Sequence, residues 1–193
     1  SRRQRQMCIR DRSNINLTQN GCTTNDKNDL AKLRWATGNL KSTGSTNYIW
    51  APSQTEIGYY YAFNKLYNGS TGDPCSKLNT AYYGTGWRTP SKNELEKLSR
   101  CTDKVFTNNG MWFMNKSLGV FLKAGGVRQE NGSGTNGATY TDHGCYWTST
   151  IGTSKNAYNM EFWNTEAHVN NTSSWFGLQT NGLLIRCVKG TKQ

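Results

Sequence analysis

The strongest limit on how this chain can fold is the absence of any long periodic segment. From Ser13 onward, apolar residues come in short clusters separated by Gly, Asn, Ser and Thr, with no heptads and no repeat of solenoid length. Only one stretch reads clearly as a helix. Thr89-Pro90-Ser91-Lys92-Asn93-Glu94-Leu95-Glu96-Lys97-Leu98 offers either Thr89 as N-cap with Pro90 at the first helical position, or Ser91 with Glu94 as a capping box. Leu95 and Leu98 then share a face. A second, shorter helix is expected from Asp73-Pro74 through Leu78 toward Tyr82, because Asp before Pro supplies a cap and a preset first turn. Strands are expected over 35–40, 59–63, 120–122, 146–150, 157–163 and 183–188, each short, rich in aromatic or β-branched residues and bounded by turn residues. Alternation puts Met160 and Phe162 on one side of their strand, and Leu183, Ile185 and Cys187 on one side of theirs. Residues 129–143 read as a long polar loop. The pattern predicts one α+β domain with two helices.

Composition narrows the class. Hydrophobic residues are 34% of the 193 and charged residues only 18%, which fits a globular chain rather than a charged disordered one. The remainder is small and polar: 22 Asn, 20 Gly, 15 Ser and 23 Thr stand beside 7 Trp and 10 Tyr, a turn-rich chain with an aromatic core. No apolar run approaches the roughly 18 residues of a membrane-spanning helix, so no membrane insertion is expected in the visible chain. The formal charge of +11 raises nucleic acid or an anionic membrane as partners.

That charge depends on the N-terminus. Arg2-Arg3-Gln4-Arg5-Gln6-Met7-Cys8-Ile9-Arg10-Asp11 matches the translation of one frame of a common transposase-based sequencing adapter, and Arg12 fits the codon that follows. Residues 1–12 are therefore expected to be adapter-derived and are set aside from fold reasoning, leaving 13–193 as a single domain. Without them the chain has 18 basic and 11 acidic residues, a net charge of +7, and five cysteines instead of six. Nucleic acid loses its main support as a partner, and the missing signal peptide carries no information.

The remaining residues carry none of the common catalytic or metal-binding signatures. Cys22, Cys75, Cys101, Cys145 and Cys187 are too far apart for a C-x-x-C motif, and the only histidines are His143 and His168. There is no H-E-x-x-H, G-x-S-x-G or G-x-x-x-x-G-K. No catalytic residue, metal ligand or cofactor is assigned.

Three ordered phrases carry a resemblance. Gly86-Trp87-Arg88-Thr89-Pro90-Ser91-Lys92-Asn93-Glu94-Leu95 is similar to Gly-Trp-Arg-Leu-Pro-Thr-x-x-Glu-Trp. Tyr146-Trp147-Thr148-Ser149-Thr150, followed by Ala157 and Phe162, is similar to Tyr-Trp-Ser-Ser-Thr with a downstream Ala and Phe. Gly182-Leu183-Leu184-Ile185-Arg186-Cys187-Val188 is similar to a closing Gly-Phe-Ser-Val-Arg-Cys-Val. Together they resemble the Fibrobacter succinogenes major paralogous domain, a bacterial surface and secreted family with a C-type-lectin-like fold. The resemblance covers roughly residues 35–188. It implies a small twisted, mostly antiparallel sheet with two helices and long loops, the first and last strands paired, and Trp87 and Trp147 in the core. It also implies a Cys75–Cys187 disulfide, with two buried free thiols as the alternative. Cys22, Cys101 and Cys145 then leave an odd cysteine, either free or bonded to a missing N-terminal segment. Sulfatase-activating enzymes share the fold and a related phrase, which makes them the enzymatic alternative, although their chemistry needs two nearby reactive cysteines. Calcium-dependent sugar binding is disfavoured, because Trp163-Asn164-Thr165 lacks the carboxylate of a Trp-Asn-Asp phrase.

The expected ligand region is 151–181. With Met160 and Phe162 inward, Glu161 and Trp163 point outward, and an outward Trp costs solubility unless it is covered or used. Trp175 and Phe176 follow among Asn170, Asn171, Ser173 and Ser174, a mixture of rigid aromatics and adaptable polar groups that suits a paratope. Tyr158 and His168 complete the candidate set. The Asn, Thr and Ser excess is also compatible with diversification by a retroelement. The competing reading has Trp163, Trp175 and Phe176 covering a small core under the loops. The expected function is a non-enzymatic module of a bacterial surface, secreted or phage protein that binds a protein or glycan outside the cell. The alternative is a structural or fimbria-associated domain contacting a neighbouring subunit.

Overall fold

The computed structural model describes residues 21–130, 132–170 and 174–192. The adapter-like residues 1–12, together with Asn171 and Ser173, lie outside the described residues. The architecture is α+β. Three α-helices are present among the described residues: α1 (Thr24–Ala31), α2 (Thr80–Tyr83) and α3 (Lys92–Arg100). The strands are β1 (Arg34–Trp35), β2 (Leu40–Ser42), β3 (Tyr48–Trp50), β4 (Trp87–Arg88), β5 (Asp103–Phe106), β6 (Gly110–Met114), β7 (Gly119–Lys123), β8 (Gly144–Ile151), β9 (Ala157–Trp163), β10 (Glu166–Val169) and β11 (Val188–Lys189). They form small antiparallel sheets, ordered β1-β11-β4, β5-β6-β7, β8-β9-β10 and β2-β3, and none closes into a barrel. In the first of these Trp35 lies opposite Val188, and Val188 opposite Arg88, so the two ends of the domain meet in one ladder.

α3 begins at Ser91, whose side chain accepts from the Glu94 N–H while the Glu94 carboxylate accepts from the Ser91 N–H at 2.7 Å, a closed capping box. Thr89 does not cap the helix; its hydroxyl donates to Asp73 at 2.7 Å. Leu95 and Leu98 are buried on the inner face as the spacing requires. The helix expected from Asp73 to Tyr82 is broken in two. A 3-10 turn over Pro74–Lys77 is capped by Asp73, Leu78 turns extended, and α2 restarts under a new cap at Asn79. α1 was not foreseen, because its sequence Thr-Asn-Asp-Lys-Asn-Asp-Leu-Ala has a weak apolar stripe. A capping box between Thr23 and Asp26, the Cys22–Cys101 disulfide and ion pairs to α3 hold it in place.

The expected strand at 35–40 divides into β1 and β2, with Gly38 at the break. A Cβ there would sit 2.1 Å from the Ala51 carbonyl oxygen, so the chains cross backbone to backbone. Residues 59–63 pair only through single bridges at Tyr60 and Tyr61, and within 183–188 only Val188 enters a ladder. Period-2 alternation still holds in the closing segment, but both of its sides are buried. Leu183, Ile185 and Cys187 face one core cluster with Trp87 and Trp147, while Leu184 faces the other with Met160, Phe162 and Leu95. The segment threads between two cores. Arg186, buried with it, donates from Nε to Asn39 Oδ1 at 3.0 Å and from Nη1 to the Ala36 carbonyl at 3.1 Å, and burial lowers its pKa. Cys75 and Cys187 are joined, with Cα atoms 5.7 Å apart. Of the three other cysteines of the domain, Cys22 pairs with Cys101 and Cys145 is the buried free thiol.

Glu94 is fully enclosed and takes two bonds from the Arg88 guanidinium, at 2.7 and 2.6 Å. Replacing Glu94→Gln leaves the partly buried Arg88 guanidinium without its counter-charge and should lower unfolding free energy by about 2 kcal/mol, read from chemical denaturation. A loss under about 1 kcal/mol would show that the pair does not hold the helix to the sheet. Asp26 gives a pH-dependent case. The Thr23 N–H bond, aided by Arg100, brings its carboxyl from the ordinary 3.8 down to about 2. A depressed carboxyl pKa stabilises the fold above the unfolded value and loses that contribution as pH falls through the folded one. Asp26→Asn should therefore cost about 1 kcal/mol at neutral pH. Its melting temperature should converge with that of the parent as pH falls from about 4 to about 2.

Candidate ligand-binding surface

β9 presents Met160 and Phe162 to the core, which leaves Asn159, Glu161 and Trp163 on its other side. That side is not the solvent face that the alternation implied. Asn159 and Glu161 are buried. The segment leading into the 3-10 turn Trp175–Gly177 lies over them, and Ser174 Oγ and Asn159 Nδ2 each donate to Glu161 Oε1 at 3.3 Å. Gly177 is required by this close approach, since a Cβ would meet the Ala157 carbonyl at 2.7 Å. Only the end of β9 emerges, and there Trp163 is half-buried.

Trp163 is the centre of a continuous group of rings. His143 lies 5.2 Å from it at a shallow tilt and His168 stands edge-on at 5.3 Å. His143 continues to Phe176 at 6.3 Å, nearly parallel. Tyr140 stands perpendicular to both Phe176 (5.6 Å) and Trp175 (6.0 Å), and Trp175 meets Phe176 at 5.0 Å. Edge-to-face contacts of this kind match the positive rim of one ring to the negative face of another. Three separate elements supply the rings: the 129–143 loop, the β9–β10 hairpin and the Trp175–Gly177 turn. The outer members are open, Tyr140 at 52% and Trp175 at 41% exposure. His168 is exposed, and Phe176 is half-buried. Phe176 and Trp163 are thus half-buried over the layer below, while Trp175 and Tyr140 are exposed.

Two carboxylates border the rings. Asp142 Oδ1 lies 3.0 Å from His143 Nδ1, a contact that holds the Asp142 carboxyl below the usual carboxylate range. Glu161 Oε2 is 4.0 Å from His168 Nε2. Asn170 belongs to the same region through its bond to Ser174 Oγ at 3.3 Å. Tyr158 does not. On the core-facing side of β9 it turns to α3, where the Lys92 ammonium sits 4.3 Å from its ring centroid. Asn171 and Ser173 fall outside the described residues. The sequence reading leaves Tyr140 and His143 out of the candidate set, although the fold brings both to this cluster. The available signal was His143 set between Tyr140 and Tyr146 at the end of a polar loop.

The loop that carries Tyr140 and His143 is pinned at its base. Val127 and Thr139 exchange two backbone bonds, and the N–H groups of Gly125 and Gly126 both donate to the His143 carbonyl. Among the described residues, the cluster that most resembles a metal site is Cys22, Asp26 and Cys101, whose two sulfurs are spent on each other. No described helix is long and apolar enough to cross a membrane. No family model, curated protein or solved structure matches the chain.

Gly126 has φ +69°, and a Cβ there would lie 1.9 Å from the Thr139 carbonyl oxygen. Gly126→Ala should cost about 2 kcal/mol or more and move the loop. A lower melting temperature together with altered tryptophan emission checks this; an unchanged spectrum would mean that Tyr140 and His143 are not positioned through this contact.

Proposed function

We propose that this chain is a non-enzymatic ligand-binding module of an extracellular or cell-surface protein, bacterial or phage-borne, that takes a protein or glycan on the ring surface from Tyr140 to Phe176. The observation that carries this reading is the convergence of six rings from three elements on one face, with Tyr140 and Trp175 left exposed. A monomer gains nothing in solubility from such a face, so an uncovered cluster of this kind suits recognition. The C-type-lectin-like assignment is supported by the pairing of β1 with β11, by the Trp87-Arg88-Thr89-Pro90 phrase leading into α3, and by the Cys75–Cys187 bridge. Two disulfides fit an oxidising compartment. A sulfatase-activator chemistry lacks its pair of thiols: Cys187 is bonded, and burial pushes the Cys145 thiol well up.

Trp175→Ala is the direct test. The parent protein should register partners on combined glycan and protein arrays, and the variant should lose them while its melting temperature stays within about 3 °C of the parent. Partners retained by the variant would place binding elsewhere; a large drop in melting temperature would make Trp175 a core residue. Hits confined to neighbouring surface or fimbrial subunits would favour the structural role.

A further inference from the structure

The charged side chains that pair with the histidines of the ring surface are acidic, although the chain as a whole is basic. The chain carries 23 basic against 12 acidic residues. Yet Asp142 and Glu161 are the charged side chains bonded or ion-paired with its histidines, and exposed Glu166 lies opposite Trp163 in the β9–β10 ladder. Among the described residues, no Lys or Arg side chain stacks on these rings or pairs with these carboxylates. The two cation–ring contacts among the described residues, Arg34 with Trp87 and Lys92 with Tyr158, are elsewhere. Aromatic faces attract cations through their quadrupole, most strongly for Trp and for guanidinium, and nearby carboxylates add to that attraction. Asp142 is 78% exposed at its side chain and lies two residues from Tyr140, which is itself in contact with Trp175. Ring faces and a free carboxylate edge are therefore presented together.

We infer that the ligand of this surface is cationic: an arginine- or lysine-bearing segment of a protein partner, its charged group set on the Trp175 and Tyr140 rings and its remaining N–H groups turned to Asp142 and Glu166. The inference rests on the reading of the ring surface as the binding site. It narrows the ligand to a basic protein segment, and a neutral glycan becomes the competing outcome.

The probe is an N-acetylated, C-amidated tetra-arginine peptide, titrated into the whole protein at low ionic strength and followed by tryptophan fluorescence and calorimetry. Its tetraglutamate counterpart and a neutral tetrasaccharide are titrated in parallel. Saturable binding of tetra-arginine alone is expected, at least about tenfold weaker in Asp142→Asn/Glu166→Gln, abolished in Trp175→Ala and weakened by added salt. Glu96→Gln, which removes one carboxylate on α3, should bind as the parent does. Equal weakening by Glu96→Gln would reduce the effect to bulk charge and overturn the inference. Binding of the tetrasaccharide in place of tetra-arginine would overturn the cationic ligand while leaving the ring surface as the binding site. No binding by any probe, with the parent protein also silent on the arrays, would remove both.

Discussion

The fold depends on one buried ion pair. Arg88 belongs to β4, at the edge of the ladder that joins the two ends of the domain, and Glu94 is the third residue of α3. Their two-bond contact fixes the helix start relative to the sheet, and the same carboxylate closes the capping box on Ser91. Arg88 Nη2 also donates to the Gly190 carbonyl at 3.2 Å, so the group that orients the helix also holds the chain just past β11. Planar guanidinium suits this role better than ammonium would, because its fork satisfies both carboxylate oxygens at once. Desolvation makes such a pair expensive to break more than rewarding to make. It specifies one arrangement of short elements that propensity alone would leave undetermined. Asp73 does the same on the other flank: it caps the 3-10 turn at Cys75 and accepts from both the backbone and the hydroxyl of Thr89.

Much of this was legible in the sequence for a physical reason. Capping boxes and Asp-Pro caps are local, so Ser91, Glu94 and Asp73 could be read as helix starts from their neighbours alone. The strands at Val120, Trp147 and Met160 showed in apolar and β-branched density. What could not be read depended on contacts across the chain. α1 has almost no apolar stripe and exists because Lys97, Arg100 and Cys101 of a distant segment anchor it. β5 and β6 lie between turns and are defined by their pairing, Val105 opposite Trp112. The double burial of 183–188 was invisible because alternation reports two faces and does not say what covers each.

The candidate surface divides the same way. Trp163, His168, Trp175 and Phe176 were legible as aromatics amid polar residues, since such rings need either cover or a use. Tyr158 was drawn in by proximity in sequence, although strand alternation sends it to the opposite side from Trp163. Tyr140 and His143 come from a loop that meets the others only in the folded molecule. Glu161 shows the limit of reading a strand in isolation: outward from one core, it is buried beneath the next stretch of chain.

The ring surface and the groups that hold the fold together lie in different parts of this molecule. The two cores, the buried polar node of Arg186 and Asn39, and both disulfides lie in the scaffold. The ring surface is instead carried by segments held through their backbones: the 129–143 loop by the Val127–Thr139 bridge, and the last turn by the Asn156–Leu178 bridge and by the Asn156 and Asn181 amides, which donate to the carbonyls of Ser174, Trp175 and Phe176. Side chains on such segments can change without disturbing the groups that hold the segments in place. Asn181 illustrates the arrangement, since its buried amide donates to the carbonyls of Trp175 and Phe176 and so fixes the turn whatever rings it bears. Loops positioned through their backbone groups can carry exposed rings such as Trp175 and Tyr140, which the core does not need, while half-buried Phe176 packs against the core beneath.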